Sequence, residues 1–134
     1  METRIFNHMG RQIECAQASA LKQNELLSLM SGRVAMAFNT CAQMETALDV
    51  KTMALSISTM PVEEKTKMGE ILTEKAFFVG GQQVSIKDFQ GKMLEWHFLL
   101  AELLIWNLAD FFDLYSAENN GKTAEAMLQE AKVP

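Results

Sequence analysis

Few side chains in this sequence have the type and spacing that chemistry requires. His8 and His97 are its only histidines, and Cys15 and Cys41 its only cysteines. Glu95-Trp96-His97 lacks the Glu-x-x-His step of helical di-metal sites, and the second copy such sites need is missing. No metal is expected. Gly121-Lys122-Thr123 has the form of the end of a phosphate loop, but Ser116 stands where the leading glycine belongs and no strand pattern precedes it. No Gly-x-Ser-x-Gly elbow occurs, and Cys41 falls on an apolar seam, where cysteine behaves as a small hydrophobe. The residues thus indicate no catalytic group and no cofactor, and a non-enzymatic role is expected.

One ionisable cluster stands out. The net charge of -5 arises entirely within residues 93–121, because acids and bases balance everywhere else. On a helix, Asp88, Glu95, Glu102, Asp110 and Asp113 fall in an arc of about 80°. Trp106 projects into that arc, with Leu99 and Phe98 beside it. Such a stripe is commonly the solvated face of a core helix. An exposed tryptophan among carboxylates is also the composition of a hot spot for a protein partner with a basic, apolar groove. The partner-binding set on that reading is Trp106, Leu99, Glu95, Glu102, Asp110 and Asp113. Carboxylates on one open face lack the pocket that shifts pKa values, which argues against acid–base catalysis. The negative balance argues equally against nucleic acid.

The elements that must carry these residues are read as helices. The 134 residues, 49% apolar and 22% charged, fit one domain. From Phe6 to Leu55, alternate steps of three and four meet thirteen apolar residues in fifteen positions. A 3.5-residue repeat held this long predicts a coiled-coil-like helix over about 3–58, roughly 75 Å long if unbroken. Its knobs Ile13, Leu27, Met30, Val34, Met44 and Leu48 form an expected self-association seam, alternating with small residues such as Ala16, Ala20 and Ala37. On one continuous helix Cys15 and Cys41 would stand about 39 Å apart, too far for a disulfide.

Pro61 followed by Val62-Glu63-Glu64 predicts a second helix over about 61–77, with Met68, Ile71, Leu72 and Ala76 inward and Gly80-Gly81 as its stop. A competing reading makes residues 77–79 and 83–85 a small hairpin around the two glycines. Ser85 and Asp88 predict a capping box, and Val84 and Phe89 a hydrophobic staple, opening a third helix over about 86–116. A short helix over about 123–132 follows. The segment Val79–Phe89 resembles, over eleven residues, a glycine-turn segment in hydrophilic tip and filament proteins of type III secretion systems. Capping rules alone generate that phrase, the last long helix here is far more apolar, and no membership follows.

The expected protein is therefore an all-α, elongated helical bundle of one domain. It would act without catalysis as an adaptor, chaperone or assembly component, through helix–helix packing with a homo-oligomer partner or another helical protein. Residues 93–115 are apolar at 17 of 23 positions, but Glu102 would sit at mid-bilayer, so stable membrane insertion is not expected. The amino terminus has no signal-like apolar run, which suggests a cytoplasmic protein. The alternative is a small helical ligand-binding domain or enzyme, with an apolar pocket lined by the 93–115 helix together with Met68, Phe77 and Phe78.

Overall fold

A computed structural model describes residues 2–30 and 50–110. It overturns the all-α, coiled-coil bundle. Thr3–His8 (β1) and Arg11–Ala16 (β2) form an antiparallel hairpin, and Ala76–Phe78 (β3) adds to β2, giving a sheet of order β1-β2-β3. No helix spans 3–58. The reason for the misreading lies in the register. Phe6 pairs with Ile13 across the hairpin, so two residues seven apart in sequence meet in space as cross-strand neighbours. That spacing imitates a heptad. The true period is two: Phe6, His8, Ile13 and Cys15 are buried, while Ile5, Asn7, Gln12 and Glu14 are exposed. Met9, the next residue of the supposed seam, sits in the turn with φ 55° beside Gly10 at φ 71°. Two successive positive φ values suit a two-residue hairpin loop and no α-helix.

Helices follow. The first described one, residues 20–30 (α1), starts after Ser19, whose Oγ accepts a hydrogen bond from the Lys22 N–H at 3.4 Å. Its Leu26 and Met30 enter the core, with Leu27 half-buried. Val50–Ser58 (α2) buries Met53, Ala54 and Ile57. Val62–Thr73 (α3) follows Pro61 and carries Glu63 and Glu64 in its first turn, where acids suit the helix dipole. Its Met68, Ile71 and Leu72 are buried as expected, but the chain leaves the helix in time for Ala76 to enter β3.

The Gly80-Gly81 segment follows the hairpin reading. Phe77 bridges Gln83, and the Phe78 N–H donates to the Gln82 carbonyl at 2.8 Å. The capping box is also present: the Ser85 N–H donates to Asp88 Oδ2 at 2.8 Å, and Val84 and Phe89 are buried. It opens only a 3-10 turn, Ile86–Phe89. Gly91, at φ 76°, breaks the path before Met93–Asn107 (α4) begins, so the expected 86–116 helix is divided.

Helix α4 is the centre of the molecule. Eight of its fifteen residues are buried, and it packs on α2, α3, β1 and the 3-10 turn. A helix that is apolar on most of its faces belongs largely inside. Its last turn is tied to the strand exit. The Ala18 N–H and Gln23 Nε2 both donate to Asn107 Oδ1, at 2.7 and 3.4 Å, and Gln17 Nε2 donates to the Trp106 carbonyl at 2.9 Å. Among the described residues no helix is long and apolar enough to cross a membrane. Val34, Met44, Leu48, Cys41, Asp113, Gly121-Lys122-Thr123 and the expected tail helix lie outside the described residues.

The hairpin turn gives a direct test of the corrected register. No atom approaches within 4 Å of the place a Gly10 Cβ would take, so a substitution there meets only conformational strain. Gly10→Val is expected to lower stability by about 1–3 kcal/mol, read as a shift in the urea midpoint at unchanged slope.

Candidate functional site

The acidic face of α4 is occupied by the chain's own hairpin. Strand β1 turns Arg4, Phe6 and His8 to its inner side, and these meet Trp106, Glu102 and Glu95 in sequence along the helix. The Arg4 guanidinium lies 5.0 Å above the Trp106 ring, and Phe6 packs on that ring at 5.9 Å between centroids. His8, only 5% exposed, is gripped from both sides. Its Nδ1–H donates to Glu95 Oε2 at 2.9 Å, and Nε2 stands 3.0 Å from Glu102 Oε1. The second contact is close but poorly aligned as a hydrogen bond.

Two ionised carboxylates accept only, so this geometry favours the doubly protonated ring. The Glu102 contact raises the His8 pKa most, burial opposes it, and the hydrogen bond to Glu95 adds to the rise. The two nitrogens face different carboxylates, so the three side chains do not converge on one point. Among the described residues no group of three such side chains could hold a metal ion.

These contacts relocate the expected sites. Trp106 is 4% exposed and Leu99 fully buried, so neither stands on an open surface among carboxylates. Glu95 and Glu102 are partly exposed but engaged with His8. Asp110 is exposed beyond the end of α4. Of the seam residues, Ile13 and Met30 belong to the chain's own core. The distance argument against a disulfide loses its premise, since Cys15 lies in β2; it is a free, buried thiol. Burial, with the charges of Glu102 and Glu14, pushes its pKa up to about 12. It is no nucleophile at neutral pH.

The opposite face of α4 borders a concavity. Helices α3 and α4 and the segment 83–86 enclose an open groove of about 690 Å3. Val62, Thr66 and Gly69 come from α3, Met93, Trp96, His97 and Leu100 from α4, and Val84 and Ile86 from the connection. Gly69 makes the floor possible. A Cβ at that position would stand 3.1 Å from Trp96 Cζ2, closer than the indole can comfortably allow. Exposed apolar side chains surround the mouth: Val62 at 69%, Ile86 at 50% and Met93 at 41%. Glu70 on α3, Glu74 at its C-terminal cap and Lys65 mark its polar edge. The His97 Nδ1–H donates to the Met93 carbonyl at 2.7 Å.

Of the pocket residues expected from sequence, Met68 is fully buried, while Phe77 and Phe78 line a shallower hollow beside β3. Glu102 lies away from the groove. The sequence did contain the missed signals. Arg4-x-Phe6-x-His8 is a strand-spaced row of cation, aromatic and cation that matches the acidic, aromatic helix face. A lone glycine inside a helical pattern, Gly69, marks close approach of a neighbour.

The clamp predicts a pH dependence with a definite sign. An unfolded imidazole titrates near 6.5, and the folded ring keeps its proton to higher pH. The resulting stabilisation is complete below that value and is lost as pH rises through the folded pKa. Urea unfolding across pH 6–9 is expected to show falling stability, and His8→Gln is expected to flatten the dependence. Comparison with protein-family models, curated proteins and solved structures finds no match.

Proposed function

We propose that this chain is a non-catalytic protein-interaction module whose groove between α3 and α4 receives an amphipathic helix of a partner protein. The observation that carries this reading is the groove itself: an apolar floor of Gly69, Trp96 and Leu100, open to solvent and ringed by exposed Val62, Ile86 and Met93. Two helices with a furrow between them suit a third helix laid along it, with bulky apolar anchors at one-turn spacing. The exposed carboxylates Glu70 and Glu74 complement basic residues one turn apart on that partner. The inert thiol of Cys15 and the engaged nitrogens of His8 support a binding role over catalysis. A free cysteine also supports a reducing compartment, and we place the protein in the cytoplasm.

A small apolar ligand is the second reading, favoured by a groove volume within the range of small-molecule sites. Titration of the isotope-labelled chain with a designed helical peptide, bearing leucine anchors and lysines one turn apart, separates the two. Binding is expected to shift the NMR signals of Thr66, Gly69 and the Trp96 indole. Ile86→Asp and Met93→Asp, both at well-exposed positions, are expected to weaken it about tenfold or more each. Shifts confined to the hairpin side of α4, or no shift at all, would sink the helix reading. A single-site response to 8-anilinonaphthalene sulfonate that is lost in Met93→Asp, without peptide binding, would favour the small ligand.

A further inference from the structure

Among the described residues strand β1 is an open edge of the sheet. The outer row of β2 shows which of its groups are unpaired. The Val79 N–H donates to the Gln12 carbonyl at 3.0 Å, and the Ala16 N–H donates to the Lys75 carbonyl at 3.1 Å. Gln12 and Ala16 therefore direct their backbone towards β3, and their opposite numbers Asn7 and Thr3 occupy non-hydrogen-bonded positions of the β1–β2 pair. Alternation places Ile5 in the same set. The N–H and C=O groups of Thr3, Ile5 and Asn7 thus point away from β2, and no other described backbone pairs with them.

The edge has no proline, no bulge and no outward-facing lysine, and its six residues pair with β2 in unbroken register. Its inward cations Arg4 and His8 are taken up by Trp106, Glu95 and Glu102. At its middle Ile5 is 52% exposed.

We propose that two copies of this chain pair β1 to β1 in antiparallel fashion about a two-fold axis through Ile5, forming a continuous six-stranded sheet. This register faces Ile5 with Ile5 of the second copy on the outer surface, and Thr3 with Asn7 on either side. The residues that turn inward pair as Arg4 with Phe6. No like charges stand directly opposite one another, and the outward N–H and C=O groups of Thr3, Ile5 and Asn7 match their own two-fold image, which favours a second copy over an unrelated strand. Each of the three outward residues both gives and receives a backbone hydrogen bond, and like faces of the two sheets coincide. The helix layers of both copies then lie on one side of the sheet. The groove between α3 and α4 takes no part, so this interface stands independently of the proposed partner site.

Sedimentation of the whole chain over a concentration series tests the interface. A dimer of about 30 kDa, twice the 15.0 kDa chain, is expected. Ile5→Lys should raise its dissociation constant about tenfold or more with unchanged circular dichroism, while Ile86→Asp leaves it in place. Ile5→Cys supplies a second reading that does not depend on how the lysine variant folds. Directly paired strand positions lie about 5.5 Å apart between Cα atoms, within disulfide reach. Mild oxidation should therefore link two copies of this variant on a non-reducing gel, and the parent chain should stay unlinked. A monomer at every concentration overturns the proposal, as does a folded Ile5→Lys dimer of undiminished affinity or an Ile5→Cys chain that fails to cross-link.

Discussion

The hairpin and the central helix hold each other through one mixed contact, in which the side chains of a single strand face match those of a single helix face. Arg4, Phe6 and His8 descend β1 at two-residue steps while Trp106, Glu102 and Glu95 ascend α4. Neither row is stable alone. The carboxylates lie along a helix otherwise buried on most sides, and His8 is almost wholly removed from water. A buried cation without its anions, or the anions without their cation, costs far more than the assembled pair returns. The contact therefore fixes which helix face meets the sheet and in which register, a specificity that apolar packing alone supplies less sharply.

Once that face is committed to the sheet, the rest of α4 is assigned by geometry. At 100° per residue, Met93, Trp96, His97 and Leu100 turn towards α3, on the side away from Glu95 and Glu102. The helix is thus an internal wall with a charged side and an apolar side. The charged side is closed by the hairpin. The apolar side is left partly open, because Gly69 lets the helices approach at the floor while Val62, Ile86 and Met93 stand around the mouth. The ion pair of Lys67 with Glu25, at 3.1 Å, ties α1 to α3.

How much of this was legible in the chain depended on whether the signal was local. Helix α3 was readable from Pro61, the acids behind it and the spacing of Met68, Ile71 and Leu72, all of which act within a few residues. The capping box of Ser85 and Asp88 was equally readable, though the length of what it opens was decided by Gly91. The hairpin was missed because its evidence was split. Met9-Gly10 replaces the usual Asn-Gly turn, and a buried histidine occupies one of the inward positions that hydrophobic alternation would mark. The aromatic and acidic composition of α4 reads from sequence either as a solvated face or as a surface for the basic, apolar groove of another protein. In the structure residues 4–8 of the same chain lie against that helix, about ninety to a hundred residues upstream, and nothing in local spacing announces a contact so distant.

That distance orders events at the ribosome. The Ala18 N–H finds its acceptor only in Asn107, 89 residues later, and His8 finds its anions only slightly sooner. At about 5–20 residues per second, the hairpin waits roughly 5–18 s for translation to deliver its counterpart. Until then its inner face is uncovered and its cation unmatched. Among the described residues the hairpin is therefore the part left open to holdases and proteases during synthesis, and α4 is the helix that covers it.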